Sequence, residues 1–551
     1  MHGHPQRYMV RETNWYAFGL LMRDARGDRQ RAVECLKAVL KEQFVDRSKL
    51  WYGTFRRLPE EGNPTEEAVM WRGYDPNWRE FIGTAFEMIL IEHRDRIPGD
   101  LAQRMYAAID RAIDGEMKHG RLVPSYSNIA LMYGALWDFA AVHDNNAEWK
   151  RKSADWIEEV NRLFHQHTSF NEYNSPTYYG VDLYGLALWR AYGSTPHLRQ
   201  LGSEIETALW SDIGAFYHPD LRNIAGPYDR SYGMDMETYV ALAGVWMRML
   251  LPGDRAPLPV TDGHTDHLPD LWFAPMFTAL GAKPSDAALA EMRRFSGEHA
   301  VRRQITDDRV ATAWIGGKVI LGGQATNLTK DAPADTQFHA ATVQWRTPEG
   351  SIGWFYVLRA PMIDALVEKM SIRITAEGDV VFRVKAAGAE RTTITAGKWT
   401  LPRLTVAVDA DQQGFEVKQG AYYRPGDCFE MTYSGMHHLT LTVKPERASL
   451  DSRTPGNPFQ PQDFVTGCFE CEEFIPPAHH FDHADYGIEG IFACQSFCDY
   501  RARETFVHRV VFLPCKIALS RCFVALFDCS GHQPRVHLDE QGPWLRWVQC
   551  C

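Results

Sequence analysis

Between Cys35 and Cys428 the chain holds no cysteine, and nowhere does it hold an apolar run of the roughly 20 residues that a membrane-spanning helix needs. The first absence removes a disulfide framework from most of the chain, and the second removes a helical membrane span. Nine of the eleven cysteines lie between Cys468 and Cys551. Excess positive charge is missing too: the net charge is −11, with both signs interspersed. Nucleic acid is therefore not the expected partner, because phosphate binding needs a basic face. There is no glycine-rich phosphate loop, dinucleotide fingerprint or nucleophile elbow, so no nucleotide cofactor is expected. The start, Met1-His2-Gly3-His4-Pro5, lacks the apolar core of a secretory signal. Unless the natural start lies further upstream, the expected location is the cytoplasm.

Aromatic residues, by contrast, are plentiful, with 17 Trp and 22 Tyr among 551 residues. They mark one of two kinds of helical segment that alternate through the first 300 or so positions. Asn14–Met22, Asn77–Ile91, Asn128–Val142, Thr177–Ala191 and Met236–Leu250 are aromatic and nearly uncharged, with Leu271–Leu280 a weaker sixth. The other kind is amphipathic. Leu101, Met105, Ile109 and Ile113 recur every four positions with Arg104, Asp110, Arg111 and Asp114 outside them, and Arg29–Phe44 and Glu148–Phe164 follow the same pattern. Helices apolar all round are buried on both sides, whereas amphipathic helices cover a surface. Alternation of the two predicts an inner ring wrapped by an outer one. Asn14, Asn77, Asn128 and Asn174 follow one another at 63, 51 and 46 residues, intervals that fit helix hairpins. The expected fold is an α/α toroid of five or six hairpins over residues 1–303.

From about Gln304 the pattern turns to Val, Ile, Thr and aromatics with period-two alternation. Arg309–Gly322, Phe338–Arg359, Ser371–Lys385, Arg391–Val408, Gly414–Tyr423 and His437–Lys444 read as strands. Short connections such as Glu349-Gly350 and Glu377-Gly378 make them antiparallel, so residues 304–450 are an expected antiparallel β-sandwich. Residues 451–551 read as an irregular cysteine-rich tail. There Cys468 and Cys471, His479, His480 and His483, and Cys494 and Cys498 have the outline of a zinc site. The second cysteine pair is too widely spaced for the usual knuckle, and no metal is expected.

In a ring of hairpins the loops entering the inner helices gather at one mouth. Here they read Glu12-Thr13-Asn14-Trp15, Tyr74-Asp75-Pro76-Asn77-Trp78, Ser125-Tyr126-Ser127-Asn128, Phe170-Asn171-Glu172-Tyr173-Asn174-Ser175-Pro176 and Tyr228-Asp229-Arg230-Ser231-Tyr232-Gly233. Asn, Asp and Ser are ordinary helix caps, but capping does not call for Tyr and Trp beside each cap. Five such clusters around one opening make an aromatic, amide-rich bowl suited to an oligosaccharide or polysaccharide.

A helical toroid followed by a sandwich, with Asn, Tyr and Arg at the mouth, resembles the toroid polysaccharide lyases. These are the chondroitin AC, hyaluronate, heparinase II/III and alginate lyase types. The resemblance covers about residues 10 to 450 and implies β-elimination at a uronic acid. It implies Asn171 and Asn174 as carboxylate neutralisers, with Asn128 as a deeper alternate, and Arg230 as a fork that binds the carboxylate. Tyr179, Tyr178 and Tyr232 are then the acid/base candidates, and His218 stands in for the histidine such lyases place nearby. Glu172, Tyr173, Tyr126, Asn77, Trp78, Tyr228, Asp229 and His339 complete the expected cleft, with Phe338 and Arg346 reaching in from the sandwich. His165 and His167 are expected to end an outer helix instead. A glycoside hydrolase on the same toroid is the alternative, using two carboxyls among Asp75, Glu172, Asp182, Asp229, Asp235 and Glu237. A non-catalytic glycan-binding protein is a third reading.

Overall fold

The structure, a computed structural model, describes residues 8–261, 265–332, 337–386, 391–421 and 425–446. The cysteine-rich tail, with its metal-like constellation, lies outside the described residues.

Four helix hairpins open the fold: α1 (Val10–Arg23) with α2 (Asp28–Lys41), α3 (Trp78–Glu92) with α4 (Gly99–His119), α5 (Ser127–His143) with α6 (Ala147–His167), and α7 (Tyr178–Tyr192) with α8 (Pro196–Phe216). The inner helices pack in series, α1 on α3, α3 on α5, α5 on α7, and α7 on α9 (Leu242–Leu250). Helix α10 (Ala274–Leu280) touches α7, α9 and α1 and closes the ring. This is the α/α toroid. Its inner helices are buried all round: every residue of α3 from Trp78 to Leu90 is buried, whereas α6 buries only Ser153, Ile157, Val160 and Phe164.

Glycines let the inner helices approach closely. A β-carbon on Gly83 would sit 2.6 Å from Leu136, and one on Gly185 2.6 Å from Leu131. Three tryptophans serve the same packing, because a buried indole N–H usually finds an acceptor. Trp189 donates to the Leu131 carbonyl (2.9 Å), Trp246 to Gly180 (2.9 Å) and Trp156 to Ala130 (3.0 Å), each stitching two helices together.

Two elements differ from the sequence reading. Helix α8 supplies the outer partner of α7 that the charge pattern did not single out; Thr195 caps it, accepting from Leu198 N at 3.1 Å, with Pro196 in its first turn. The segment from Met236 is helical only from Leu242. Asp235 accepts from Glu237 N (2.9 Å), and Val240 N pairs with the Asp266 carbonyl (2.9 Å), which holds residues 235–240 in turns. A two-residue hairpin, β1 (Tyr217–His218) with β2 (Asn223–Ile224), follows α8, and α11 (Asp286–Arg293) packs on α8.

The strands of the sandwich begin at β3 (His299–Thr306), earlier than position 304, and all of them pair antiparallel. They continue as β4 (Arg309–Ile315), β5 (Val319–Ala325), β6 (Ala341–Arg346), β7 (Ile352–Arg359), β8 (Asp364–Glu368), β9 (Ser371–Lys385), β10 (Thr393–Thr395), β11 (Lys398–Leu401), β12 (Leu404–Ala410), β13 (Gly414–Ala421) and β14 (Pro425–Pro445). Hydrogen bonds link all twelve, yet they form two layers because β9 and β14 pass from one to the other. The C-terminal part of β9 pairs with β7 and its N-terminal part with β8. Cys428–Tyr433 of β14 lies between β9 and β13, whereas His438–Pro445 lies between β9 and β12. Both strands change layer at glycines in left-handed or extreme backbone conformations, Gly378 (φ 136°) and Gly435 (φ 60°). Between the layers sit Val343, Phe355, Ile374, Phe382, Trp399 and Leu441. This is the antiparallel sandwich. The ring's core runs on into it through Ile305, Ala313, Ile320, Trp354 and Tyr356.

Candidate active site

At the mouth the chain builds outward from Arg230. Backbone pairing sets its position: Tyr228 and His339 exchange hydrogen bonds (3.2 and 2.8 Å), and Ser231 N donates to Gln337 O (2.9 Å). On the other side Asp229 N donates to Tyr173 O (3.1 Å), and the Ser175 hydroxyl donates to Arg230 O. The loop of the fifth cluster is thus clamped between the fourth cluster and the strand part.

The Arg230 side chain is 29% exposed, and its guanidinium lies 3.7 Å from the Tyr178 ring centroid. It donates to Glu172 (2.5 Å), to the Tyr178 hydroxyl (2.6 Å), to Gln337 (3.2 Å) and, at 3.4 Å, to the Tyr126 hydroxyl. Tyr178 and Tyr232 share a phenol–phenol hydrogen bond of 2.5 Å. Asn77 donates to Tyr126 from the far side (3.2 Å). Glu172 sits at the N-terminus of α5, where Asn128 donates to it through its side chain and Ser127 through its hydroxyl (3.3 Å). A carboxylate suits that end of a helix dipole.

Burial works against the Arg230 charge, but Tyr178, Glu172 and Tyr126 outweigh it and its pKa ends raised, so the cation is permanent. Burial pushes the Tyr178 phenol well above its usual value; Tyr232 adds to this and Arg230 opposes it. Tyr178 is therefore a proton donor at neutral pH. Its neighbour Tyr232, at 38% exposure, is the phenol that reaches solvent.

A histidine joins this cluster that sequence reasoning did not pick. The His267 ring stacks on Tyr232 with centroids 4.1 Å apart, and its Nδ1 lies 3.4 Å from Asp270. Asp270 in turn pairs with Arg11 (3.3 Å), which holds Glu12 (2.5 Å) and covers the Trp15 and Trp78 rings. The only sequence trace is His267-Leu268-Pro269-Asp270, a His–Asp spacing of three at a helical turn.

Several expected site residues lie elsewhere. Tyr179 is buried against α8, its hydroxyl 3.3 Å from Asp212, which pairs with Arg303 (2.9 Å). Tyr173 packs edge-on to it, also out of the mouth. The Asn174 amide is used inside the fold, donating to Ala225 O (2.7 Å) and Pro227 O (2.9 Å) from a left-handed backbone (φ 52°). It holds the turn before Arg230 and does not face substrate. Asn171 is exposed and offers its carbonyl to Arg309. Tyr228 is a core residue whose hydroxyl is bound by Ile224 O. His218 is fully buried, stacks on Phe295 and accepts from the Asp220 and Leu221 amides; burial lowers its pKa to about 4. His339, also pushed down to about 4 by burial, bonds Ser231 O (3.3 Å) beside Tyr356. Phe338 is buried beneath Lys330, and Arg346 bonds Asp220 O and Glu237. His165 and His167 do end α6, and His167 pairs with Asp307 (3.1 Å).

The carboxyls are similarly committed. Asp229 is held between Arg309 and Lys330, Glu237 between Arg222 and Arg346, and Asp235 by Asn223. Asp75 accepts from Asn77 N (2.9 Å). Asp182, one helical turn beyond Tyr178, is fully buried and neither oxygen makes a hydrogen bond. Burial, then the nearby Glu172, raises its pKa well above the usual carboxylate value. The folded state thus binds a proton there more tightly than the unfolded chain. Stability from this group therefore falls as pH rises from the unfolded carboxylate value toward the folded one. Asp182→Asn is expected to melt higher than the parent near neutral pH, with the gap closing toward about pH 4. Thermal midpoints of both proteins across that range check this.

Among the described residues no group of three or more His, Cys, Asp or Glu is placed to hold a metal, and no helix is long and apolar enough to cross a membrane.

Ring and sandwich together define an α/α toroid protein with an antiparallel β-sandwich, and Arg230 gathers a polar, aromatic cluster. The chain belongs to the family described as Domain of unknown function (DUF8769), whose model matches residues 2–282. No curated protein matches it. Among solved structures it is similar to heparinase III, with 10% identity, a TM-score of 0.40, and coverage of 78% of this chain and 75% of that one. It is similar to a mutant of heparan sulfate lyase HepC from Pedobacter heparinus at 9% identity and a TM-score of 0.21, covering 77% of this chain and 89% of that one. For endoglucanase CelQ from Clostridium thermocellum the values are 9% identity and 0.22, over 80% and 85%.

Proposed function

We propose that the protein is a carbohydrate-active enzyme that cleaves a uronic-acid-containing glycan by β-elimination. One observation carries the reading: a permanent cation, Arg230, and two hydrogen-bonded phenols, Tyr178 and Tyr232, share one partly open patch at the ring's mouth. Elimination needs a cation or amide at the uronate carboxylate, to stabilise the charge that develops when the adjacent carbon loses its proton. It also needs a group that takes this proton.

Arg230 fills the first role: four of its five N–H donors are bound within the fold, and the remaining one, on Nη2, is the donor for a substrate carboxylate. Tyr232 fills the second. Tyr232 acts as the phenolate: its oxygen takes the C5 proton, the C–H electron pair forms the C4=C5 double bond, and the C4–O bond breaks with its electron pair going to the leaving oxygen. The proton then passes from the Tyr232 phenol to that oxygen, which restores the phenolate. Tyr178, held by Arg230, donates its hydrogen bond to the Tyr232 oxygen and steadies the phenolate before and after the step. Hydrolysis, in contrast, needs two carboxyls facing the substrate. Glu172, Asp229, Asp235 and Glu237 are each bound to cations or side-chain amides, Asp75 accepts from the Asn77 backbone N–H, and Asp182 is buried.

The test is incubation with a panel of uronic-acid polysaccharides, following the ultraviolet absorbance of the unsaturated uronate and, separately, new reducing ends. Reducing ends without that absorbance would mean hydrolysis, and binding without cleavage would mean a glycan-binding protein. Tyr232→Phe is expected to lower kcat by about a hundredfold to ten-thousandfold with little change in KM. An unchanged kcat would remove Tyr232 from the proton path.

A further inference from the structure

Tyr232 stands on a loop with 38% of its surface exposed, so its ring needs support from its neighbours to hold one direction. Its hydroxyl is tied to Tyr178 (2.5 Å), whose ring lies beside it, tilted by 44° with centroids 5.9 Å apart. That bond holds the oxygen end alone. The χ2 torsion of a tyrosine has broad minima, so a ring whose face is open still swings.

His267 covers that face. The two rings lie nearly parallel, 28° apart, with centroids at 4.1 Å. The imidazole is itself firmly mounted. Its backbone is left-handed (φ 60°), held by Val240 N pairing with Asp266 O (2.9 Å) and by Asp270 N donating to His267 O (2.9 Å). The Tyr239 ring stands at 72° to it with centroids 6.4 Å apart. Gly233 makes room for Tyr239, since a β-carbon there would lie 2.7 Å from that ring.

The polar edge of the imidazole is pinned as well. His267 Nδ1 lies 3.4 Å from Asp270 Oδ2, while Oδ1 of the same carboxylate accepts from Arg11 of α1 (3.3 Å). Asp270 is buried. A carboxylate anchored on α1 thus fixes the plane of the imidazole, and the imidazole fixes the plane of the phenol.

Resting on the reading of Tyr232 as the group that takes the proton, we infer that His267 is a positioning residue. Its flat ring, held by Asp270 and Arg11, keeps the Tyr232 oxygen aimed at the reacting carbon. It acts through Tyr232 and exchanges no proton with the substrate.

The experiment measures steady-state kinetics on a cleaved glycan for His267→Ala, His267→Phe and the double variant of His267→Ala with Tyr232→Phe, with melting midpoints for each. His267→Ala should lower kcat by about tenfold to a hundredfold with KM within about twofold, as expected of a displaced reacting group. His267→Phe keeps a flat stacking ring without nitrogens and should stay within about threefold of wild type. In the Tyr232→Phe background His267→Ala should cost nothing more, because residues that act as a unit are not additive. If wild type cleaves a glycan and His267→Ala keeps its kcat, this inference fails alone. It also fails alone if His267→Phe is folded yet about tenfold or more slower, which assigns the effect to the imidazole nitrogens. An equal loss from His267→Ala with and without the Tyr232 hydroxyl would separate the histidine from the phenol and overturn it too. If wild type cleaves no glycan, both readings fail.

Discussion

Arg230→Ala should lower turnover on a cleaved glycan by about a hundredfold to a thousandfold, the usual cost of removing one preorganised donor from a developing anion. The loss should fall on kcat more than on KM, because the charge that Arg230 stabilises is largest in the transition state. Folding should survive, since Glu172 keeps Asn128 and Ser127 as donors and Tyr178 keeps Tyr232. Arg230→Lys should recover little. An ammonium is a single point of charge and cannot reach Glu172, Tyr178 and a substrate carboxylate together. Stopped assays of both variants beside a melting curve decide the matter; activity within about threefold of wild type in Arg230→Ala would remove Arg230 from the mechanism.

The largest expected loss of stability comes one residue earlier. Asp229 is 3% exposed and lies between Arg309 and Lys330, both from the strand part. Asp229→Ala leaves two cations facing each other without their carboxylate, and breaking a buried pair in this way costs about 3 kcal/mol or more. Both cations keep some contact with water, which argues for the lower end of that range. Urea denaturation followed by tryptophan fluorescence would measure it, and a change below about 1 kcal/mol would mean the pair is already solvated. Activity should fall as well, because Asp229 and Arg230 share the loop clamped between Tyr173 and Gln337.

The ring was legible because burial writes itself into composition. Uncharged aromatic segments became inner helices, and the amphipathic Leu101–Ile113 and Glu148–Phe164 patterns became α4 and α6. The sandwich was legible from its alternation and turn pairs, although β3 begins earlier than the change of pattern suggests. The site was legible as loops more than as atoms. Tyr178 and Tyr179 are neighbours in sequence, yet about 100° of helical rotation sends one to Arg230 and the other to Asp212. No spacing rule chooses between them. Asn174 has the same composition signal as Asn77, but its left-handed backbone turns its amide onto the Ala225 and Pro227 carbonyls. His267 carried almost no signal, because the contact that brings it to Tyr232 depends on pairing between Tyr239 and Asp266. The charged partners of Asp229 were hidden for a similar reason: Arg309 and Lys330 come from another part of the fold.

Strands β9 and β14 each belong to both layers of the sandwich, crossing at Gly378 and Gly435. Cooperativity follows from that crossing. Pulling either strand out of one layer withdraws hydrogen-bond partners from the other, so neither sheet has an intermediate in which it stands alone. The strand part should melt in a single step, and insertions should be tolerated at the β3–β4 turn but not at the two crossings. Since Gln337 and His339 of the same part hold the Arg230 loop, the loop's order is tied to that single transition.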